Sequence, residues 1–92
     1  MYRITFAKQY QKSIKKLVKS GVVSLEEVNA VVNLIAEKHS LPTKYRDHKL
    51  TGELQQYREC HIRPDVLLQY RLYRNELILL VVDIGSHANL FG

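Results

Sequence analysis

The chain has a single cysteine, Cys60, so no disulfide can form within it, and a lone thiol fits a reducing cytoplasm. No apolar run approaches the ~20 residues needed to cross a bilayer; the longest, Leu77–Val82, is strand-sized. Met1-Tyr2-Arg3-Ile4-Thr5-Phe6 contains no segment resembling a signal peptide. Gly-rich phosphate loops, cysteine pairs and His-Glu-x-x-His helices are all missing. Repeats, linkers and low-complexity stretches are also missing, and residues 1–92 are expected to form one domain. From Met1 to Val23 there is no acidic residue at all.

That last absence makes the charge lopsided. Residues 1–46 hold nine Lys and Arg against three Asp and Glu, whereas residues 47–92 hold five against six. The net charge is +5. A basic half suggests contact with nucleic acid or an acidic protein; the plainer alternative is a solvated helix face.

Tyr2, Ile4 and Phe6 alternate with Arg3 and Thr5 and predict a short strand. A helix is expected from about Ala7 to Lys19, with Tyr10, Ile14, Leu17 and Val18 on its apolar side and Lys8, Lys12, Lys15, Lys16 and Lys19 on the other. Gly21 ends it. Ser24 with Glu27 three residues later forms a capping-box pattern that opens a second helix, with Leu25, Val28, Val31, Val32 and Ile35 as its stripe. This helix is expected to stop before Leu41-Pro42. Thr43–Gln56 reads as a polar, charged loop. Three strands follow over Tyr57–Ile62, Val66–Tyr73 and Leu77–Ile84, the last apolar enough to be buried on both faces. The order β-α-α-β-β-β predicts an α+β fold with an antiparallel sheet.

Histidines and carboxylates crowd the second half. His48, Glu59, His61, Asp65 and His87 stand where a small fold can gather them, and histidine exchanges protons near neutral pH. Alternation puts Tyr57, Glu59 and His61 on one strand face, with Arg58, Cys60 and Ile62 on the other. Glu59 and His61 are therefore either an acid–base pair or ordinary polar residues facing solvent. Metal binding is a rival reading of His48, His61, His87 and Asp65. The histidines are separated by 13 and 26 residues, without the short local pairing of ligands that metal sites often show, and no metal is assigned. His39, near the end of the second helix, is read as structural. Tyr10 and Tyr70 are expected in the core, while Phe91 has no evident packing role.

Three stretches carry a family resemblance: Tyr45-Arg46-Asp47-His48-Lys49-Leu50-Thr51-Gly52, then Tyr57-Arg58-Glu59-Cys60-His61-Ile62-Arg63-Pro64-Asp65, then Gly85-Ser86-His87-Ala88-Asn89-Leu90-Phe91. Together they resemble the YafQ branch of the RelE toxin superfamily, over nearly the whole chain. The resemblance implies a RelE-like fold and the toxin of a type II toxin–antitoxin pair. Such a toxin is a metal-independent endoribonuclease, with no cofactor, that cuts mRNA in the ribosomal A site and is neutralised by a DinJ-like antitoxin. It implies His48, Glu59, His61, Asp65 and His87 as the catalytic set, with Phe91 stacking on a base. His87 is taken as the general acid, supported by nearby Asp65, and His48 as the base, with His61 and Glu59 positioning the phosphate or sharing that role. Relatives commonly carry an arginine four residues before the last histidine, where this chain has Asp83. Arg58, Arg63 or Arg71 is expected to supply the missing charge, with Arg71 preferred. Val66 stands where relatives often have an aromatic residue. The five lysines of the first helix are expected to meet ribosomal RNA or the antitoxin. The toxin itself is expected to be a cytoplasmic monomer within a larger toxin–antitoxin complex. The alternative of another class is a non-catalytic toxin of the same fold, such as a ParE-like gyrase poison, for which three histidines have no use.

Overall fold

The computed structural model describes residues Met1–Phe91. Strand β1 (Arg3–Phe6) leads into α1 (Lys8–Lys19) and α2 (Leu25–Ala36). After a 3-10 turn at Thr43–Tyr45 come a two-residue strand β2 (His48–Lys49), a second 3-10 turn at Gly52–Leu54, then β3 (Arg58–Arg63), β4 (Val66–Tyr73) and β5 (Ile78–Gly85). A five-residue helix, α3 (His87–Phe91), closes the described chain. The α+β class and the β-α-α-β-β-β order hold, with one short strand and one short C-terminal helix added.

The helix ends follow local chemistry. Ser24 Oγ accepts from the Glu27 N–H, and the Glu27 carboxylate accepts from the Ser24 N–H at 2.8 Å, completing the expected capping box. After α1, the Gly21 N–H donates to the Val18 carbonyl and the Val22 N–H to that of Leu17, with Gly21 at φ 77°. This left-handed stop satisfies carbonyls that the helix leaves open. The second helix stops the same way, but on a lysine. Lys38 at φ 64° and His39 donate to the Ile35 and Leu34 carbonyls, so α2 ends at Ala36, well before Pro42. Proline is therefore not its terminator.

The sheet order is β1-β5-β4-β3-β2. β2, β3, β4 and β5 pair antiparallel, but β1 lies parallel to β5, so the sheet is mixed rather than antiparallel. The helical pair α1–α2 carries the chain from β1 at one edge of the sheet to β2 at the other, and the meander β2 to β5 then brings β5 alongside β1. One face carries the core: Val28, Val31, Val32, Ile35 and Ala36 of α2 and Tyr10 and Ile14 of α1 pack with Cys60, Val66, Leu68, Tyr70, Leu79, Val81 and Ile84. The other face carries neither α1 nor α2. β5 is therefore not buried equally on both sides: Leu79 and Val81 are inaccessible, while Leu80 and Val82 on the open side stay half-exposed. Leu77, at φ 56°, belongs to the turn and not to the strand. Leu25, expected in the apolar stripe, sits in the first turn of α2 beyond the sheet and is 48% exposed.

Candidate active site

Thr43–Gln56 is not a plain loop, and the difference builds the site. β2 lies on the sheet edge and pairs His48 with Glu59; Glu59 pairs with Gln69 on β4, and His61 with Leu67. Leu67 pairs in turn with Gly85. Directly opposed residues share a face, so His48, Glu59 and His61 gather on the open face. The row His61–Leu67–Gly85 leads towards His87, two residues further on. Two strand spacings, roughly 10 Å, separate the His61 and Gly85 positions. That gap suits a ribose-phosphate.

Glu59 is 4% exposed, and its Oε2 has no hydrogen-bond partner. Its Oε1 lies 3.3 Å from Nε2 of the exposed His48. On the other side of that ring, Nδ1 lies 2.7 Å from the Arg46 carbonyl, which can only accept, so Nδ1 carries a proton. His48 thus faces an oxygen at both nitrogens, the Arg46 carbonyl at Nδ1 and the Glu59 carboxylate at Nε2. The His61 ring lies 6.3 Å away, centroid to centroid. Its Nδ1–H donates to the Pro64 carbonyl at 3.2 Å, a contact made by the tight turn that follows β3. This tautomer leaves Nε2 with its lone pair.

His87 and Phe91 are held by α3. The Ser86 side chain accepts from the Asn89 N–H at 3.2 Å, and Asn89 Oδ1 accepts from the Ser86 N–H at 3.2 Å, a reciprocal cap that places His87 in the first turn. Asn89 packs on Gly85: a Cβ on that glycine would meet Asn89 Cβ at 3.1 Å. The His87 and Phe91 rings contact at 4.8 Å and remain exposed. Asp65 is exposed in the β3–β4 turn, and no ion pair or hydrogen bond links it to His87 among the described residues.

The expected phosphate-binding arginines are placed differently. Arg58 points to the helix side of the sheet, donating to Asp47 at 2.8 Å and to the Tyr70 hydroxyl at 3.3 Å. Tyr70 also donates a short hydrogen bond to Asp47; burial, then that bond, pushes the phenol well above its ordinary value. Arg63 makes a two-pronged pair with Glu27 at 2.7 and 2.8 Å. Arg71 remains without a carboxylate partner among the described residues. Two cations that the sequence reading passed over, Lys44 and Arg46, line a hollow of about 460 Å³ with His61, Arg63 and Pro64. Their signal was the density of charge just before His48. Asp83 is committed elsewhere, accepting from Ser13 on α1 at 2.7 Å and from the Ile84 N–H at 2.8 Å. Val66, in place of an aromatic residue, is buried core. Cys60 is fully buried, and its thiol is pushed up to about 12, first by burial and then by nearby Asp47 and Glu59. Lys8, Lys12, Lys15, Lys16 and Lys19 are all exposed on α1.

The model of the family described as the bacterial toxin of type II toxin–antitoxin systems, YafQ, matches residues 2–92. The chain belongs to this family. The mRNA interferase toxin YafQ of Escherichia coli K12 is 32% identical over 90 residues, covering 97% of this chain and 95% of that one. A metal-bound toxin from Helicobacter pylori is 42% identical with a TM-score of 0.93, covering 99% of this chain and 100% of that one. YafQ in the E. coli DinJ–YafQ complex is 30% identical with a TM-score of 0.85, and each chain is covered completely. Among the described residues no three His, Cys, Asp or Glu side chains converge as a metal cage, and both Nδ1 atoms of the paired histidines are taken by carbonyls.

Proposed function

We propose that this chain is the toxin of a type II toxin–antitoxin pair and a metal-independent endoribonuclease that cuts mRNA on the ribosome. The observation that carries the reading is the convergence of His48, Glu59 and His61 on the sheet's open face, in the row that leads to His87. In this reading His61, with Nε2 unprotonated, takes the proton of the ribose 2′-hydroxyl. The 2′-oxygen bonds to the adjacent phosphorus as the bond to the 5′-oxygen breaks, and His87 gives that leaving oxygen its proton. The products are a cyclic phosphate and a 5′-hydroxyl. This departs from the expectation that His48 is the base: both its nitrogens are engaged by oxygens of the protein, so the His48–Glu59 pair is better suited to orient the phosphate. Lys44, Arg46 and Arg71 supply positive charge to the phosphate, a role that Arg58 and Arg63 cannot fill while paired with carboxylates. Asp65, exposed in the β3–β4 turn, is assigned to support His87 as the acid, and Phe91 to stack on a base.

The reading places the protein in the cytoplasm as a monomer, working on ribosomes and held silent by a DinJ-like antitoxin. The test is cleavage of an mRNA on programmed ribosomes in magnesium, with toxin stripped of bound metal by EDTA and then freed of the chelator. Wild type is expected to make site-specific cuts, and His61→Ala and His87→Ala to lose on the order of 100-fold or more in rate. Wild-type rates in His61→Ala would remove it as the base. At constant magnesium, activity that is missing from toxin stripped of bound metal and returns only with an added transition metal would overturn the metal-independent mechanism.

A further inference from the structure

On the same open face, one step along the sheet from Glu59, lies a group that the acid–base chemistry does not use. Arg71 pairs with Leu80 on β5, and Tyr73 with Ile78. Arg71 is two residues along β4 from Gln69, the partner of Glu59, and therefore about 7 Å away along the strand. Its guanidinium lies 4.4 Å from the Tyr73 ring centre and 5.8 Å from that of Tyr57. All three side chains are half-exposed, and Arg71 pairs with no carboxylate among the described residues.

We propose that Tyr57, Arg71 and Tyr73 form a stacking subsite for the nucleotide next to the scissile phosphate, holding single-stranded RNA on the open sheet face. A planar cation fixed between two rings loses little freedom on meeting a phosphate. Exposed tyrosines offer stacking surface to any base, and the pairing of aromatic faces with a basic group is the usual chemistry of single-strand binding. A purely structural Arg–Tyr cluster explains less. The rings sit on the face that neither α1 nor α2 covers, and the β5 residues facing Arg71 and Tyr73 are apolar, so among the described residues no carboxylate pairs with the charge. Arg71 lies about 7 Å along the sheet from the row that holds Glu59 and about twice that from the row of His61, so a phosphate oriented by the His48–Glu59 pair puts the next nucleotide over Arg71.

The proposal rests on the nuclease reading, and two measurements keep their failures apart. The chain contains no tryptophan, so Tyr73→Trp places a single indole in the subsite. Its emission is expected to be quenched by a short 2′-O-methyl RNA, which cannot be cleaved, and much less by the same strand with an abasic residue. Separately, the double variant Tyr57→Leu with Tyr73→Leu is expected to lose about tenfold in kcat/KM for each stacked base on programmed ribosomes. Arg71→Lys should weaken RNA binding while leaving the folded fraction unchanged. Quenching together with loss of kcat/KM supports the subsite. Quenching by RNA when wild type cuts nothing also supports it, while sinking the nuclease reading. Absence of quenching, or wild-type kcat/KM in the double tyrosine variant, overturns the subsite even if cleavage is robust. So does a defect confined to antitoxin affinity.

Discussion

At the scale of single residues, charge pairing decides which cations remain available. Arg63 looks free in a sequence that reads Ile62-Arg63-Pro64-Asp65, yet it is committed to Glu27 of α2. That pairing, with the capping-box contacts of Ser24, holds the Glu27 carboxyl at about 2, below its ordinary 4.5. Because the folded value is the lower one, the contribution to stability is fully present above pH 4.5 and is lost as pH falls toward 2. Urea unfolding followed over that window should show a shallower loss of stability in Arg63→Ala than in wild type. Equal slopes would mean that the pair contributes nothing to acid stability.

At the scale of elements, the turns hold the strain. The β4–β5 connection, Arg74 to Leu77, ends on a leucine at φ 56°, a left-handed backbone that glycine adopts without steric cost. Leu77 is also 43% exposed, so little packing is lost with its side chain. Leu77→Gly is expected to stabilise the protein by about 1 kcal/mol, raising the thermal midpoint measured by calorimetry. A lower midpoint would show that the exposed side chain contributes more than the backbone conformation costs. The short α3 is the opposite case. Its position depends on Asn89 packing against a bare Gly85, so the placement of His87 depends on a residue with no chemistry of its own.

For the molecule as a whole, basic charge and catalytic groups occupy different elements. Lys8, Lys12, Lys15 and Lys19 follow helical spacing along one exposed stripe of α1, with Lys16 beside it, and none has a carboxylate partner among the described residues. Phosphate binding by such a stripe is independent of sequence and weakened by salt. Lys12→Glu combined with Lys16→Glu should lower ribosome affinity and reduce the slope of log K against log salt by about one for each phosphate no longer neutralised. An unchanged slope would assign the stripe to solvent. The same variant should keep its fold, because both side chains point away from the core.

Much of the fold was legible because its signals are local. The Ser24–Glu27 cap, the Gly21 stop, the 3.6-residue stripe of α2 and the alternation through β3 all depend on neighbours a few residues apart. The family could be read from short strings around His48, His61 and His87 for the same reason. Long-range pairing was not legible. Two residues, His48 and Lys49, carry too little pattern to announce a strand, and they become one only because β3 offers an open edge. The parallel return of β1, the capture of Arg58 by Asp47 and of Arg63 by Glu27, and the bond from Ser13 to Asp83 join residues 11 to 75 positions apart. The sequence by itself determined which chemical groups the protein has and which local elements carry them. Only the tertiary structure decided which histidine keeps a free nitrogen and which arginines keep a free charge, because those properties depend on carbonyls and carboxylates that the folded chain brings from elsewhere.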